Sequence, residues 1–213
     1  MSLPDIHMPA APLLVATDLV CGYAEQQLFA PVSFALSAGQ ALQITGANGR
    51  GKTTLFRTVV GLQRPLAGAV RWQTEQELAD ELCFIGHANA LNDALTPLEN
   101  LQLLLRLNGR RATSAQEIRA TLELLGLTRL GRRPCERLSA GQRRRVALAR
   151  LWLTNAPFWV LDEPAAALDV DARAALCAHL AAHVHHGGML LFTTHEPLDL
   201  PGLEPAQIVL EPC

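Results

Sequence analysis

Between residues 13 and 20 apolar positions alternate loosely with polar ones, the period of a strand, and a turn containing Gly22 follows. Val32–Leu36 and Ala41–Thr45 predict two further strands, parted by Ser37-Ala38-Gly39. After Lys52 the period lengthens to that of a helix, which the pattern carries to about Gly61-Leu62. A stretch punctuated by Pro and Gly, with Val70-Arg71-Trp72 in it, predicts a hairpin, and Leu82–Ile85 is a short apolar run suited to a buried strand. From Asn89 to Thr154 the pattern is helical, with segments at 98–107, 115–125 and 140–153 separated by Pro, Gly and Arg. Residues 158–161 and Met189–Thr193 are apolar throughout, as strands covered on both faces are, and a helix over 171–186 between them stops at Gly187-Gly188. Strands alternating with helices predict a mainly parallel α/β sheet interrupted by a helical lobe.

A length of 213 residues with 49% apolar content suits one domain with a sizeable core, with or without a small inserted lobe. Residues 1–12 read as a loose tail without the basic start and apolar run of a secretory signal. No apolar stretch reaches the roughly 18 residues of a membrane span, so any membrane role is expected to come through a partner. The net charge of -2 argues against nucleic acid as a partner of the whole protein. Twelve Arg between Arg106 and Arg150 face three acids, Glu117, Glu123 and Glu136, which predicts a solvated helical face, the alternative being a basic surface for an acidic partner or anionic lipid. The five cysteines are scattered without a C-x-x-C pair, as expected of reduced thiols in the cytoplasm.

Candidate chemistry starts at the only lysine. Gly46-Ala47-Asn48-Gly49-Arg50-Gly51-Lys52-Thr53 fits G-x-x-x-x-G-K-[ST], directly after a predicted strand and before a predicted helix. The glycines let backbone N–H groups turn inward around phosphates, and the helix adds its positive N-terminal end. Lys52 supplies charge to the β/γ oxygens, and the Thr53 hydroxyl can ligate Mg²⁺. Phe158-Trp159-Val160-Leu161-Asp162-Glu163 places two acids at the end of a buried strand. Asp162 suits Mg²⁺, held through a water, and Glu163 suits a general base that polarises an attacking water. Leu138-Ser139-Ala140-Gly141-Gln142 opens a helix for which Ser139 is a fitting N-cap.

The order phosphate loop, L-S-x-G-Q, apolar-D-E-P, then a lone His after a strand resembles the ABC ATPases across nearly the whole chain. The resemblance implies a P-loop NTPase fold of the α/β class: a mainly parallel sheet core, an N-terminal antiparallel β part and an inserted helical subdomain. It implies one domain over 13–213, with 13–88 and 156–213 as the nucleotide-binding core and 89–155 as the helical subdomain. ATP and Mg²⁺ are the implied cofactors. Thr54 would join the phosphate loop in holding ATP, and Tyr23 lies where an aromatic stacks on adenine, a core or surface aromatic being the alternative. Ser139, Ala140, Gly141 and Gln142 would close on the ATP of a second copy, with Asp169 in the loop that reaches across the same dimer. Thr193-Thr194-His195 would be the switch region, with His195 at the γ-phosphate. Aligning Thr96 and Glu99-Asn100 on the family's T-x-x-E-N places His87 where members carry Gln, and its titration near neutrality would make that contact pH-dependent.

Flanking strings narrow the resemblance. Ile85-Gly86-His87, Leu95-Thr96-Pro97-Leu98-Glu99-Asn100-Leu101, the run from Leu138 to Leu153 and Thr193-Thr194-His195-Glu196-Pro197-Leu198 are similar to the ATP-binding subunit of the bacterial haem exporter of cytochrome c maturation. That branch implies a homodimer of ATPase subunits, peripheral on the cytoplasmic side of the inner membrane and docked on integral-membrane permease subunits. The alternatives are the ATPase of another small exporter of lipid, peptide or drug, and a nucleic-acid-linked ABC ATPase. His179 and His183 form an i, i+4 pair within a cluster with His185 and His186, the spacing of metal or haem ligands, but a solvated polar face is the favoured expectation.

Overall fold

The structure, a computed structural model, describes residues 13–24, 26–74, 77–107, 113–130 and 132–213. The expected tail over 1–12 lies outside the described residues, as do Arg110 and Arg111 of the arginine block.

The chain opens with β1 (Leu14–Val20), β2 (Gly22–Tyr23), β3 (Gln26–Gln27) and β4 (Val32–Leu36), and β5 (Ala41–Thr45) leads through the glycine-rich loop into α1 (Lys52–Val59). β6 (Ala67–Trp72), α2 (Leu78–Glu81) and β7 (Leu82–Ile85) follow. Three helices, α3 (Pro97–Leu107), α4 (Ala115–Leu124) and α5 (Ala140–Leu148), precede β8 (Phe158–Asp162), α6 (Val170–His185), β9 (Met189–Thr193) and β10 (Ala206–Val209). A parallel sheet in the order β10-β5-β9-β8-β7 forms the centre, and an antiparallel sheet in the order β4-β1-β6 covers part of it.

Burial on both faces explains the apolar runs. Every residue of β8 and β9 is buried, and their side chains alternate between two clusters. Phe158, Val160 and Leu191 join Leu55 and Phe56 of α1 and Leu14 and Leu19 of β1, whereas Trp159, Leu161, Leu190 and Phe192 join Leu176, Leu180 and Val184 of α6. A third cluster, with Leu101, Leu105, Ile118, Leu122 and Val146, holds α3, α4 and α5 together. Buried Asn100 ties the approach to α3, because its amide donates to the carbonyls of Asn92, Leu95 and Thr96 while its oxygen accepts from the Asn92 N–H.

Several expectations change. The segment at 70–72 is not half of a local hairpin: β6 pairs antiparallel with β1, Leu14 opposite Trp72, so its partner lies over fifty residues earlier. The helix expected over 140–153 is α-helical only to Leu148 and continues as a 3₁₀ turn over Ala149–Trp152. The histidine cluster is a solvated face only at His185 and His186, which are exposed. The His179 ring stacks on Trp152 at 4.0 Å and the His183 ring on Trp159 at 3.6 Å, because α6 packs directly against β8 and the turn before it. Their Nε2 atoms lie 3.2 Å from the carbonyls of Leu151 and Pro157, and no group of three metal-ligating side chains occurs among the described residues.

Candidate active site

The C-terminal ends of β5, β9, β8 and β7 stand side by side, the edge at which open α/β sheets receive ligands. Each runs into a loop carrying a residue named above: the phosphate loop, His195, Asp162 with Glu163, and His87. The register sets Thr193 level with both Ile44 and Asp162.

The phosphate loop ends at Gly51, whose φ of 91° and lack of side chain start α1 without a side-chain cap. A Cβ there would come within 2.9 Å of the Leu28 side chain, so the loop sits directly on Leu28 and Phe29. The first N–H groups of α1 are thus offered to an anion rather than to a side chain. Lys52 is 8% exposed, and its ammonium donates to the carbonyls of Gly46 at 2.7 Å and Ala47 at 3.2 Å. These bonds hold its charge at the loop's mouth.

Asp162 is buried and accepts two hydroxyls, Thr53 at 2.6 Å and Thr193 at 2.8 Å. The Thr193 oxygen in turn accepts the Glu163 N–H at 2.9 Å, so one side chain orients both acids. Glu163 has a φ of 51°, a left-handed conformation that residues with a Cβ adopt at a cost of about 1–2 kcal/mol. Its Oε1 lies 2.7 Å from His195 Nε2.

These groups share a cleft of about 620 Å³ lined by residues 48–54 with Tyr23, Leu28, His87, Glu163 and His195. Tyr23 is 52% exposed and its hydroxyl lies 3.1 Å from the Thr54 hydroxyl, which fixes the ring at the cleft's edge. Gly46 and Ala47 take part through the carbonyls that hold Lys52.

Ser139, Ala140, Gly141 and Gln142 do not line this cleft. They start α5 with a capping box, in which the Ser139 hydroxyl accepts the Gln142 N–H and the Gln142 side chain accepts the Ser139 N–H. Gly141 packs against the loop after β8, where a Cβ would stand 2.4 Å from the Ala167 carbonyl oxygen. Asp169 also lies outside the cleft; its carboxylate caps α6 through the Ala172 N–H at 2.9 Å and sits 3.6 Å from Arg145.

Three residues at the site escaped sequence reasoning. Leu28 carries no polar signal, and Thr193 sits in the motif but its bridging of two acids follows only from strand register. Arg144 lies buried behind both acids and donates to the carbonyls of Asp162 and Glu163. Burial pushes its guanidinium down to about 10, partly offset by the nearby Asp162 and Glu163, so it remains a cation at neutral pH.

The ABC transporter family model matches residues 29–166, which include the phosphate loop, Ser139–Gln142 and both acids. The cytochrome c biogenesis ATP-binding export protein CcmA 1 of Salmonella paratyphi A is 46% identical over 192 residues, covering 87% of this chain and 91% of the relative. CcmA of Escherichia coli strain K12 is 45% identical over 194 residues, covering 88% and 91%. Among solved structures, the dimeric bacterial ABC transporter cassette MJ0796 superposes with a TM-score of 0.78 at 26% identity, covering 93% of this chain and 94% of that one. The same cassette in a post-hydrolysis state with ADP and Pi gives 0.75 at 25% identity, over 86% and 88%. With motifs, sheet order and family match in agreement, the chain belongs to the ABC transporter family, as one of its ATP-binding, ATP-hydrolysing subunits.

Proposed function

We propose that this chain energises the haem-handling exporter of c-type cytochrome biogenesis, hydrolysing ATP as a peripheral subunit on the cytoplasmic side of the inner membrane. The observation that carries this reading is the 45–46% identity to CcmA proteins along 87–88% of the chain. No helix among the described residues is long and apolar enough to cross a membrane, so the permease is assigned to integral-membrane partners. The helical part, 89–155, is the section that would move against the core over 13–88 and 156–213.

The geometry supports the following roles. Residues 46–54 wrap the phosphates of ATP, with Lys52 exchanging its two carbonyl acceptors for phosphate oxygens, while Tyr23 and Leu28 flank the adenine. Thr53 and Asp162 present a hydroxyl and a carboxylate, hard oxygen donors at hydrogen-bond distance from each other in a sheltered site, which fits Mg²⁺. Bound there, Mg²⁺ would neutralise charge on the phosphates. Glu163 takes the proton of the attacking water, and His195, now on the Glu163 carboxylate, turns to the γ-phosphate. His87, on the loop after β7, faces the same cleft in place of glutamine.

Because Ser139–Gln142 do not line the chain's own cleft, the donors of the α5 N-terminus are assigned to ATP held by a second copy, which Asp169 and its loop would also approach.

Haem staining of c-type cytochromes tests the assignment in a strain whose own CcmA gene is replaced by this one. Wild type is expected to restore the stained bands and Lys52→Ala, present at equal level, to lose them. Absence of bands with the wild type would move the protein to another exporter and leave its ATPase activity standing.

A further inference from the structure

Arg144 lies on α5, two residues beyond the Gln142 that closes the capping box, yet its side chain reaches under the acids of the nucleotide cleft. The residue is 4% exposed. Each of its five N–H positions has an acceptor. Nη2 donates to the main-chain carbonyls of Asp162 at 2.8 Å and Glu163 at 2.9 Å, and Nε to that of Pro164 at 3.2 Å. Nη1 donates to the Gly86 carbonyl at 2.9 Å and to Asn89 Oδ1 at 3.1 Å. All five acceptors are amide oxygens, so the fork grips backbone position rather than neutralising a carboxylate. Three segments meet on it: the helix that begins at Ser139, the end of β8, and the loop carrying His87.

Glu163 is the residue most in need of such a grip. Its φ of 51° is disfavoured, so the flanking peptide groups must be held from outside. Thr193 accepts from its N–H and Arg144 donates to its carbonyl, one hold on each side. Only a planar fork with five donors can satisfy this set of oxygens at once; a lysine offers three donors from a single point.

We propose that Arg144 is a positioning residue for the Glu163 carboxylate, and that through it the placement of the signature helix is transmitted to the base of the same subunit. The inference rests on Glu163 being that base. A helix swinging toward a partner's nucleotide carries the guanidinium with it, and the peptide of Glu163 follows. Hydrolysis in each cleft thereby depends on where that subunit's own α5 stands.

The test is a double-mutant cycle on the full chain, with single-turnover ATP hydrolysis measured beside binding of a fluorescent ATP analogue. Arg144→Gln is expected to lower the hydrolysis rate about tenfold to a hundredfold with nucleotide affinity within about twofold of wild type, because the phosphate loop is untouched. In a Glu163→Gln background the same substitution is expected to add no further loss, since the base it aims is already gone. A merely structural role would lower the rate equally in both backgrounds, and that result, or an unchanged rate in Arg144→Gln, overturns the proposal. Asn89→Ala removes just the one side-chain acceptor and serves where Arg144→Gln does not fold. It is expected to lower the rate about twofold to threefold with Glu163 present and not at all with Glu163→Gln. If Glu163→Gln itself hydrolyses ATP at the wild-type rate, the assignment of the base falls first.

Discussion

Thr193 is fully buried, and its hydroxyl both donates to Asp162 and accepts from the Glu163 N–H. The same economy of ring and hydroxyl appears on the opposite face of the sheet, where Trp152, His179, Trp159 and His183 form a column of aromatic contacts. Packing against Trp159 pushes the His183 imidazole down to about 4, with the neighbouring His179 opposing its protonation as well, and burial lowers His179 in the same direction. His183 is therefore neutral in the folded chain at pH values where the unfolded chain binds a proton. Its contribution to stability is complete above about pH 6.5, the ordinary histidine value, and is lost as pH falls from there toward about 4. His183→Phe keeps a flat ring on Trp159 and has nothing to titrate. Urea midpoints measured from pH 7 to pH 4 are expected to fall less steeply for it than for wild type, and parallel curves would remove His183 from the account.

These two neighbourhoods differ in how much of them could be read from the sequence. Lys52, Thr53, Asp162, Glu163 and His195 are legible because each sits in a short string whose local spacing dictates its chemistry, and the structure brings them to one edge of the sheet. Thr193 as a bridge, Leu28 under the phosphate loop and Arg144 behind the acids are not, since their partners lie on other elements, 18 to 58 residues away in patterns that periodicity does not encode. The histidines misled for the same reason. Charge and polarity predict a wet face, which His185 and His186 keep, but two tryptophans from elsewhere in the chain cover His179 and His183.

At the scale of elements, the short strands were the most legible: Val32–Leu36, Ala41–Thr45, Leu82–Ile85 and Met189–Thr193 form over the expected residues. The edge strand β10 gave no apolar run, because most of its residues are exposed, and the pairing of β6 with β1 depends on a contact that no local pattern specifies. The helices divide by how they begin. α3, α4 and α5 each start with a hydroxyl residue followed three positions later by Glu or Gln, and in each the two side chains bond reciprocally to the backbone: Thr96 with Glu99, Ser114 with Glu117, Ser139 with Gln142. α1 starts with glycine and no such cap. The contrast makes one substitution a control for another. Ser114→Ala and Ser139→Ala are each expected to lower stability by about 1 kcal/mol through loss of an N-cap, read from denaturant midpoints. ATP turnover at saturation is expected to fall in Ser139→Ala and to stay at the wild-type level in Ser114→Ala. Equal turnover in both variants would leave Ser139 as a helix cap without a part in catalysis.

At the scale of the whole molecule, the proposed function makes the site one that two chains would complete. The cleft gathers the phosphate loop, Glu163 and His195, with Asp162 buried behind Thr53, and the α5 N-terminus does not line it. In the head-to-tail dimer proposed above, two copies would complete each other, each lending Ser139–Gln142 to the ATP of its partner. Hydrolysis would then break the ligand that joins them, so a variant that binds ATP without splitting it should accumulate as the dimer. Glu163→Gln is that variant: it keeps an amide oxygen where the carboxylate stood and leaves Lys52, Thr53 and Asp162 in place, while removing a base worth about 10²–10⁴ in rate. In size-exclusion chromatography with ATP and Mg²⁺ it is expected to elute at about twice the 23.1 kDa of one chain, and with ADP at the single-chain position. Adding Ser139→Arg, which places a bulky charge at the start of α5, is expected to return the ATP-bound protein to single chains while nucleotide binding persists. A Glu163→Gln protein that stays at the single-chain position under saturating ATP would mean that the subunit does not form the sandwich by itself, and would assign the joining of the two copies to the permease on which they dock.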